Sequence, residues 1–253
     1  AWIGWRDDHQ SQSVKLRLVV QFLCAIWLLI CFDFQAWALT LVGLAETWFW
    51  LVPALALVAV LTLVWLINLY NFMDGSHGLA AGEAIFCGFG SYFILLESVP
   101  TAANFGLLMA LVMLGFLPWN FPRPKIFMGD VASSVLGLGV GIMALMAGAE
   151  YWFVPLCLSA LFVIDATYTL VDRVLRGEVW HQAHTDHIYQ RLIRSGWSHH
   201  KVWSLYMLIN LVFILPMAKW AASGDGSALL VLVTLATILS MAWLLAMRYL
   251  RAQ

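Results

Sequence analysis

Five stretches of the chain hold side chains able to do chemistry together. Asp7 and Asp8 are adjacent. Asn68, Asn71, Asp74 and His77 crowd ten residues, and Asn120, Lys125 and Asp130 crowd eleven more. Asp165 and Asp172 follow, and then the run HQAHTDH brings His181, His184, Asp186 and His187. Carboxylates and carboxamides without a cysteine partner form a hard, oxygen-rich donor set, which suits Mg²⁺ or Mn²⁺ better than zinc. Magnesium commonly takes one or two carboxylates and fills its remaining positions with phosphate oxygens and water. Lys and Arg nearby would hold the phosphate charge left over. The chemistry these residues point to is phosphate chemistry.

The elements that must position them are transmembrane helices. Of 253 residues, 63% are hydrophobic and only 11% charged, with a mean hydropathy of +0.86. Soluble domains carry about 45–50% apolar and about 25% charged residues. The apolar residues come in long runs, and a span needs about 20. Eight candidate spans run roughly 15–33, 49–70, 78–97, 104–120, 131–149, 151–171, 200–218 and 227–248. Helices satisfy their own backbone in lipid, whereas open sheets do not, and the runs lack the alternation of barrel strands. Small residues recur in spans three to five, among them Gly88, Gly90, Ser133, Gly137, Gly139 and Gly141, as close helix packing in lipid favours. The expected fold is an all-α polytopic bundle of about eight spans, with residues 1–253 forming one integral membrane domain.

Charge placement orients the bundle. Arg6, Lys15, Arg17, Arg123, Lys125, Arg173, Arg176, Arg191, Arg194, Lys201, Arg248 and Arg251 fall on one alternating set of segments and adjoining span ends, and only Lys219 falls on the other. The positive-inside rule makes the first set cytoplasmic. Almost every polar residue named above lies on that face, while the opposite face scatters Asp33, Glu46, Glu97, Glu150 and Asp225. Ionisable residues at membrane depth are costly and usually functional. A formal net charge of -1 offers no basic field for nucleic acid. Cys24, Cys31, Cys87 and Cys157 show no CxxC spacing and read as small core residues.

Each stretch also has a plainer reading. Asp7 and Asp8 could be a solvated pair, Asp74 could cap the helix after it, and Asp165 could simply pair with Arg173. The histidine run could be a zinc site, which its lack of cysteine argues against, or a solvated loop. Arg191 and Arg194 could be membrane anchors. Their gathering on one face weakens these readings as a set.

The motifs resemble a known family. NLYNFMDG (68–75) with GLAAG (78–82) is similar to the signature loop of the polyprenyl-phosphate N-acetylhexosamine-1-phosphate transferases, glycosyltransferase family 4. PWNFPRPKIFMGDVASSVLG (118–137) resembles that family's Asn-to-FMGDxGS region. GWRDDHQSQSVKLRLVVQ (4–21) resembles its opening Asp-Asp motif with a downstream basic residue, and AHTDHIYQRLIRSGWSH (183–199) its His-containing cytoplasmic loop. The four occur in family order across nearly the whole chain. NLYNFMDG and AHxxHxYQRL look most like the O-antigen-initiating, N-acetylaminosugar branch.

The resemblance implies a Mg²⁺-dependent enzyme of the bacterial inner membrane, with Mn²⁺ as an alternative ion. A UDP-linked N-acetylated aminosugar such as UDP-N-acetylglucosamine would give its sugar-1-phosphate to undecaprenyl phosphate at the cytoplasmic face. UMP would leave, and a lipid-linked sugar diphosphate would start a surface polysaccharide such as lipopolysaccharide O-antigen. By motif match Asp130 is the foremost metal ligand, with Asp8 and Asp74 beside it. Asp7 and Asp8 lie near metal and lipid phosphate, one of them as a base. Asn71 completes the polar centre with Asp74. Asn120 meets the diphosphate, Lys125 binds substrate, Phe127 stacks on uracil, Lys15 or Arg17 grips a phosphate, and His184 and His187 touch phosphate or sugar. The acceptor is already an anion, so charge neutralisation and alignment carry the burden rather than a strong base. A homodimer is an open expectation.

Three departures stand out. The family pattern after Asp-Gly is a hydrophobic residue, Asp and Gly, but here Ser76-His77-Gly78 follows, so His77 replaces a carboxylate expected near nucleotide or metal; an imidazole could still bind there. Ala132 stands where Gly is usual. The family carries spans before its Asp-Asp motif, so the resemblance implies that this sequence is a fragment of a longer protein. Two rivals remain: a catalytically impaired relative binding the same ligands, and a transporter, which would place its polar residues at mid-membrane on broken helices.

Overall fold

The structure is a computed structural model and describes residues 1–10, 12–42, 50–179, 184–224 and 228–251. His181, Glu46 and Asp225 lie outside them. Among the described residues there is no strand; the fold is all-α. A short α1 (Trp2–His9) leads to α2 (Val14–Cys31), whose start is capped by the Ser13 hydroxyl accepting from the Leu16 N–H at 3.3 Å. Then come α3 (Phe34–Val42), α4 (Val52–Met73), α5 (Leu79–Leu95), α6 (Pro100–Asn120) and α7 (Gly129–Met146). Pro53 and Pro100 sit in the first turns of α4 and α6, where a missing N–H costs nothing. The chain continues through α8 (Gly148–Tyr151), α9 (Phe153–Leu158), α10 (Ala160–Leu175), α11 (Ile188–Arg194), α12 (His199–Ile209), a π turn (Asn210–Ile214), α13 (Leu215–Ala222) and α14 (Ala228–Arg251).

Among the described residues, six helical runs are long and apolar enough to cross a membrane: α2, α4, α6, α7, the continuous run α12–π–α13, and α14. The other two expected spans are corrected. The third, α5, has 17 residues, about 26 Å at 1.5 Å per residue, a little short of a hydrocarbon core of about 30 Å. The sixth is broken: α8–α9 and α10 meet at 71°, and count as one crossing only if taken together. The break falls at Ser159, four residues after Pro155, where a sharp kink is physically expected. The Ser159 N–H reaches back to the Pro155 and Leu156 carbonyls, and its hydroxyl meets the Tyr70 hydroxyl at 3.2 Å.

The seam that matters most joins α4 to α7. A Cβ on Gly137 would lie 2.2 Å from the Leu66 carbonyl oxygen, so only glycine lets the two backbones come this close. That approach brings the ends of both helices together, one carrying Asn71 and Asp74, the other Asp130. Beyond the break in span six, α10 brings Leu170 to the same end.

Candidate active site

The site is built from the ends of four elements and one loop. Asp130 opens α7, and the turn before it requires Gly129 in the left-handed region at φ +67. The Asp8 carboxylate from α1 accepts from the backbone N–H of Asp130 at 2.9 Å and of Val131 at 3.3 Å. It thus satisfies two of the helix's free donors, with a negative charge where the dipole favours one. A Cβ on Gly129 would lie 2.8 Å from Asp8 Oδ2, so the glycine leaves room for this cap. From α4, Asn71 Nδ2 donates to Asp130 Oδ1 at 2.5 Å and to Ser133 Oγ at 3.3 Å. From α2, Arg17 Nη1 bridges Asp7 Oδ2 at 2.5 Å and Asp130 Oδ2 at 3.1 Å.

Asp7, Arg17, Asn71, Asp74, Asp130, His184 and His187 line one cavity of ≈ 620 Å³. Asn68, Tyr189 and Gln190 also line it, and an apolar stretch completes the wall, with Leu18 from α2, Leu61, Val64 and Trp65 from α4, and Leu170 from α10. The cavity therefore joins a charged end to a greasy one.

Electrostatics differ among its groups. Burial works against an ionised Asp7, but the Gln12 N–H, the Asp130 side chain and the Arg17 guanidinium outweigh it and hold the carboxyl below its ordinary range. Asp74 goes the other way. Burial, and then the charges of Asp130 and Asp8, push it up to about 7. Burial, then His187 and Arg173, push His184 down to about 4, so it is neutral at pH 7.

Magnesium can be tested against this donor set. Among the described residues, no three His, Cys, Asp or Glu side chains gather closely enough to cage an ion unaided. Magnesium does not need a full protein cage, because phosphate oxygens and water complete its shell. The chemistry of the set fits a hard divalent cation: Asp74 is a carboxyl whose ionisation is opposed by neighbouring negative charge, and a cation beside it and Asp130 would relieve that repulsion.

The remaining expected residues lie elsewhere. Asp8 is the cap just described, behind the cavity wall. Lys15 is exposed on α2, whereas Arg17 reaches in. Asn120 is buried and ties two loops, accepting from the Gly78 N–H at 2.8 Å and donating to the Ile126 carbonyl at 3.0 Å. His77 stacks on His199 at 3.7 Å, with Phe127, 71% exposed, 6.4 Å away. Lys125 lies over the Trp119 ring. These four form a second, more open group beside the cavity.

Two plainer readings are corrected. Asp74 ends α4 rather than capping α5, whose N-cap is Gly78. Asp165 does not pair with Arg173, which instead holds Glu178 and Asp186, each at 2.7 Å. Sequence reasoning also missed residues. Tyr189 is buried and donates to the Phe72 carbonyl at 2.9 Å, locking the histidine loop onto α4. Glu83 is wholly buried in α5 and accepts from Asn210 of the π turn at 2.6 Å. A lone Glu inside an apolar run was the signal for it.

Comparison with known proteins agrees with this arrangement. A probable undecaprenyl-phosphate N-acetylglucosaminyl 1-phosphate transferase of Bacillus subtilis is 27% identical over 224 residues, covering 83% of this chain and 60% of the relative. A phospho-N-acetylmuramoyl-pentapeptide-transferase of Synechococcus elongatus is 31% identical over 247 residues, covering 85% and 63%. One of the same name from Microcystis aeruginosa is 27% identical, covering 87% and 65%. The chain thus spans about three fifths of the length of the first two curated relatives. The family model described as glycosyl transferase family 4 matches residues 1–148, the stretch holding Asp7, Asp8, Asn71, Asp74 and Asp130. With more than half its length matched, and with these residues drawn to one end of an all-α membrane bundle, the chain belongs to glycosyl transferase family 4.

Proposed function

We propose that the chain carries out transfer of an N-acetylated aminosugar-1-phosphate from a UDP-sugar to undecaprenyl phosphate. An oxygen of the lipid phosphate attacks the phosphorus that bears the sugar, and the bond from that phosphorus to UMP breaks. A lipid-linked sugar diphosphate and UMP result. The observation that carries this reading is the cavity itself, which meets carboxylates, an arginine and histidines at one end and an apolar wall from three helices at the other. Such a shape suits a phosphate attached to a long apolar tail.

Within it, Arg17 is placed to hold a phosphate oxygen, exchanging Asp7 and Asp130 for the substrate. Asn71 fixes the Asp130 carboxylate. Asp130 and Asp74 would hold Mg²⁺, with Asp8 supporting Asp130 from behind; the ion, when bound, neutralises phosphate charge and aligns the two anions. Asp7, held ionised by its neighbours, faces the same space and repels a misplaced phosphate. Neutral His184 offers a hydrogen bond without adding charge. The second group, His77 with Phe127, Asn120 and Lys125, is where the nucleotide would lie. Basic residues on this side of the bundle favour a site at the cytoplasmic face of a bacterial inner membrane. Both N-acetylglucosamine and N-acetylmuramoyl-pentapeptide occur in the relatives' names; the NLYNFMDG and AHxxHxYQRL motifs favour a simple N-acetylaminosugar, hence initiation of a surface polysaccharide.

The experiment is direct. The full chain in detergent receives UDP-N-acetylglucosamine, undecaprenyl phosphate and Mg²⁺, and UMP release is followed with and without chelator. Release that stops with chelator supports the reading. Tight binding of UDP-sugar without release would mark the chain as a binding relative instead.

A further inference from the structure

Asp165 lies outside the set assigned above, yet among the described residues it is the carboxylate that accepts the most hydrogen bonds. It sits in α10, 3% exposed. Its oxygens accept from the Ile188 N–H at 3.1 Å each, and from Thr169 Oγ1, Tyr206 Oη and Trp243 Nε1 at 3.2 Å. All of these donors are neutral. The ion-pair partner facing it among the described residues is His187, whose Nδ1 lies 3.9 Å from Asp165 Oδ1. A buried carboxylate gains from each further N–H aimed at it, so a proton on that nitrogen has a physical reason.

His187 is itself only 2% exposed. Its ring lies nearly parallel to those of Phe72 at 6.2 Å and Tyr189 at 5.9 Å. Its backbone N–H donates to Gln190 Oε1 at 3.3 Å. The ring thus has little freedom to turn. It lines the cavity with Asp74 and Asp130, while its Nδ1 edge looks away toward Asp165 and lacks a hydrogen bond. A distance of 3.9 Å is too long for a hydrogen bond, but contacts of this kind often close only when substrate is present. The same nitrogen also faces the backbone N–H of Gln190 at the start of α11. Two tautomers therefore compete. In one, Nδ1 is protonated toward Asp165; in the other it is bare and accepts from Gln190.

We propose that Asp165 is a positioning residue that keeps the proton of His187 on Nδ1, so that a bare Nε2 is offered to the cavity as an acceptor for a hydroxyl or N–H of the bound sugar. This role rests on the transferase reading for its consequence, though not for its geometry. Asp165 touches no substrate; it acts through His187 by fixing which nitrogen accepts in the cavity, as an orienting carboxylate does behind a ligating or catalytic imidazole.

The full chain in lipid nanodiscs, labelled with ¹⁵N-histidine, tests it, with His187 assigned by the signal lost in His187→Gln. The expected result is a protonated Nδ1 in the parent and in Asp165→Glu, and its loss in Asp165→Asn. A bare Nδ1 in the parent overturns the proposal whether or not any variant folds. In the transfer assay, Asp165→Asn should lower kcat by roughly tenfold or more, and should cost nothing further when His187→Gln is already present. A loss that multiplies fully with that of His187→Gln would mean Asp165 serves the fold alone, and overturns the proposal. A chain that transfers no sugar phosphate would defeat the functional reading, while the ¹⁵N measurement, which needs no turnover, would still decide the role of Asp165.

Discussion

Replacing Asp74 with Asn should make the folded protein more stable while removing its activity. Burial, with Asp130 and Asp8 adding to it, raises the Asp74 carboxyl from its ordinary 3.8 to about 7. Between those values the folded chain keeps a proton that the unfolded chain has released. Stability therefore falls as pH rises from about 4 to about 7, and the loss is complete above that. The full shift is equivalent to about 4 kcal/mol. Water in the cavity and rearrangement of Arg17 will soften it, so about 2 kcal/mol is the working expectation. For a chain of this size that is a rise of roughly 4–8 °C in Tm. Thermal unfolding in detergent, followed by circular dichroism at pH 8 and pH 5, reads it directly. Asp74→Asn should melt higher than the parent at pH 8, and the gap should shrink at pH 5. Added Mg²⁺ should raise the Tm of the parent more than that of the variant. A variant no more stable than the parent at pH 8, or a gap independent of pH, would refute the picture of carboxylates held together against their own repulsion.

Other outcomes follow from the same geometry. Asp130→Asn should abolish UMP release while leaving membrane insertion intact, which fractionation and a turnover assay check together. His77→Asp should raise activity if the Ser76-His77-Gly78 departure is a defect; a fall would show that the imidazole stacked on His199 has its own task. Arg17→Gln should raise KM for the lipid phosphate by about tenfold, through loss of a charge-assisted contact, with a smaller change in KM for the nucleotide sugar. Asp8→Ala should cost about 1 kcal/mol of stability, the worth of a helix cap, measurable by chemical denaturation.

Much of this molecule could be read before its shape was known, because the signals were local. Long apolar runs give helices, and basic residues sort the loops to one side. Asp7, Asn71, Asp74 and Asp130 share that side, and the structure carries them to one cavity. What escaped was set by contacts across the chain. Nothing near Asp8 in sequence says that it will cap a helix beginning more than a hundred residues later. Asp165 and Arg173 are two turns apart on one helix and invite pairing, yet each finds partners from other elements. The break at Ser159 was hidden because hydropathy measures composition and is blind to direction. The separation of His77, Asn120, Lys125 and Phe127 from the carboxylates was likewise invisible, since loops on one face need not meet at one point.

The π turn at Asn210–Ile214 explains a pattern that would otherwise look accidental. Along the run from 199 to 222, the inward-facing residues are Val202, Tyr206, Asn210, Ile214 and Ala218, each four after the last, and then Ala221. On a regular α-helix a strict spacing of four drifts by about 40° at each step, so Ala218 would end up nearly opposite Val202. One wider turn takes up most of that drift and lets a single stripe face its neighbours throughout. Winding residues 210 to 214 as an ordinary α-helix, with none removed, would swing everything after them by about 100°. Asn210 could then meet Glu83, or Ala218 and Ala221 could stay inside, but not both. The wider turn is thus the part that keeps the two halves of this membrane crossing in phase with each other.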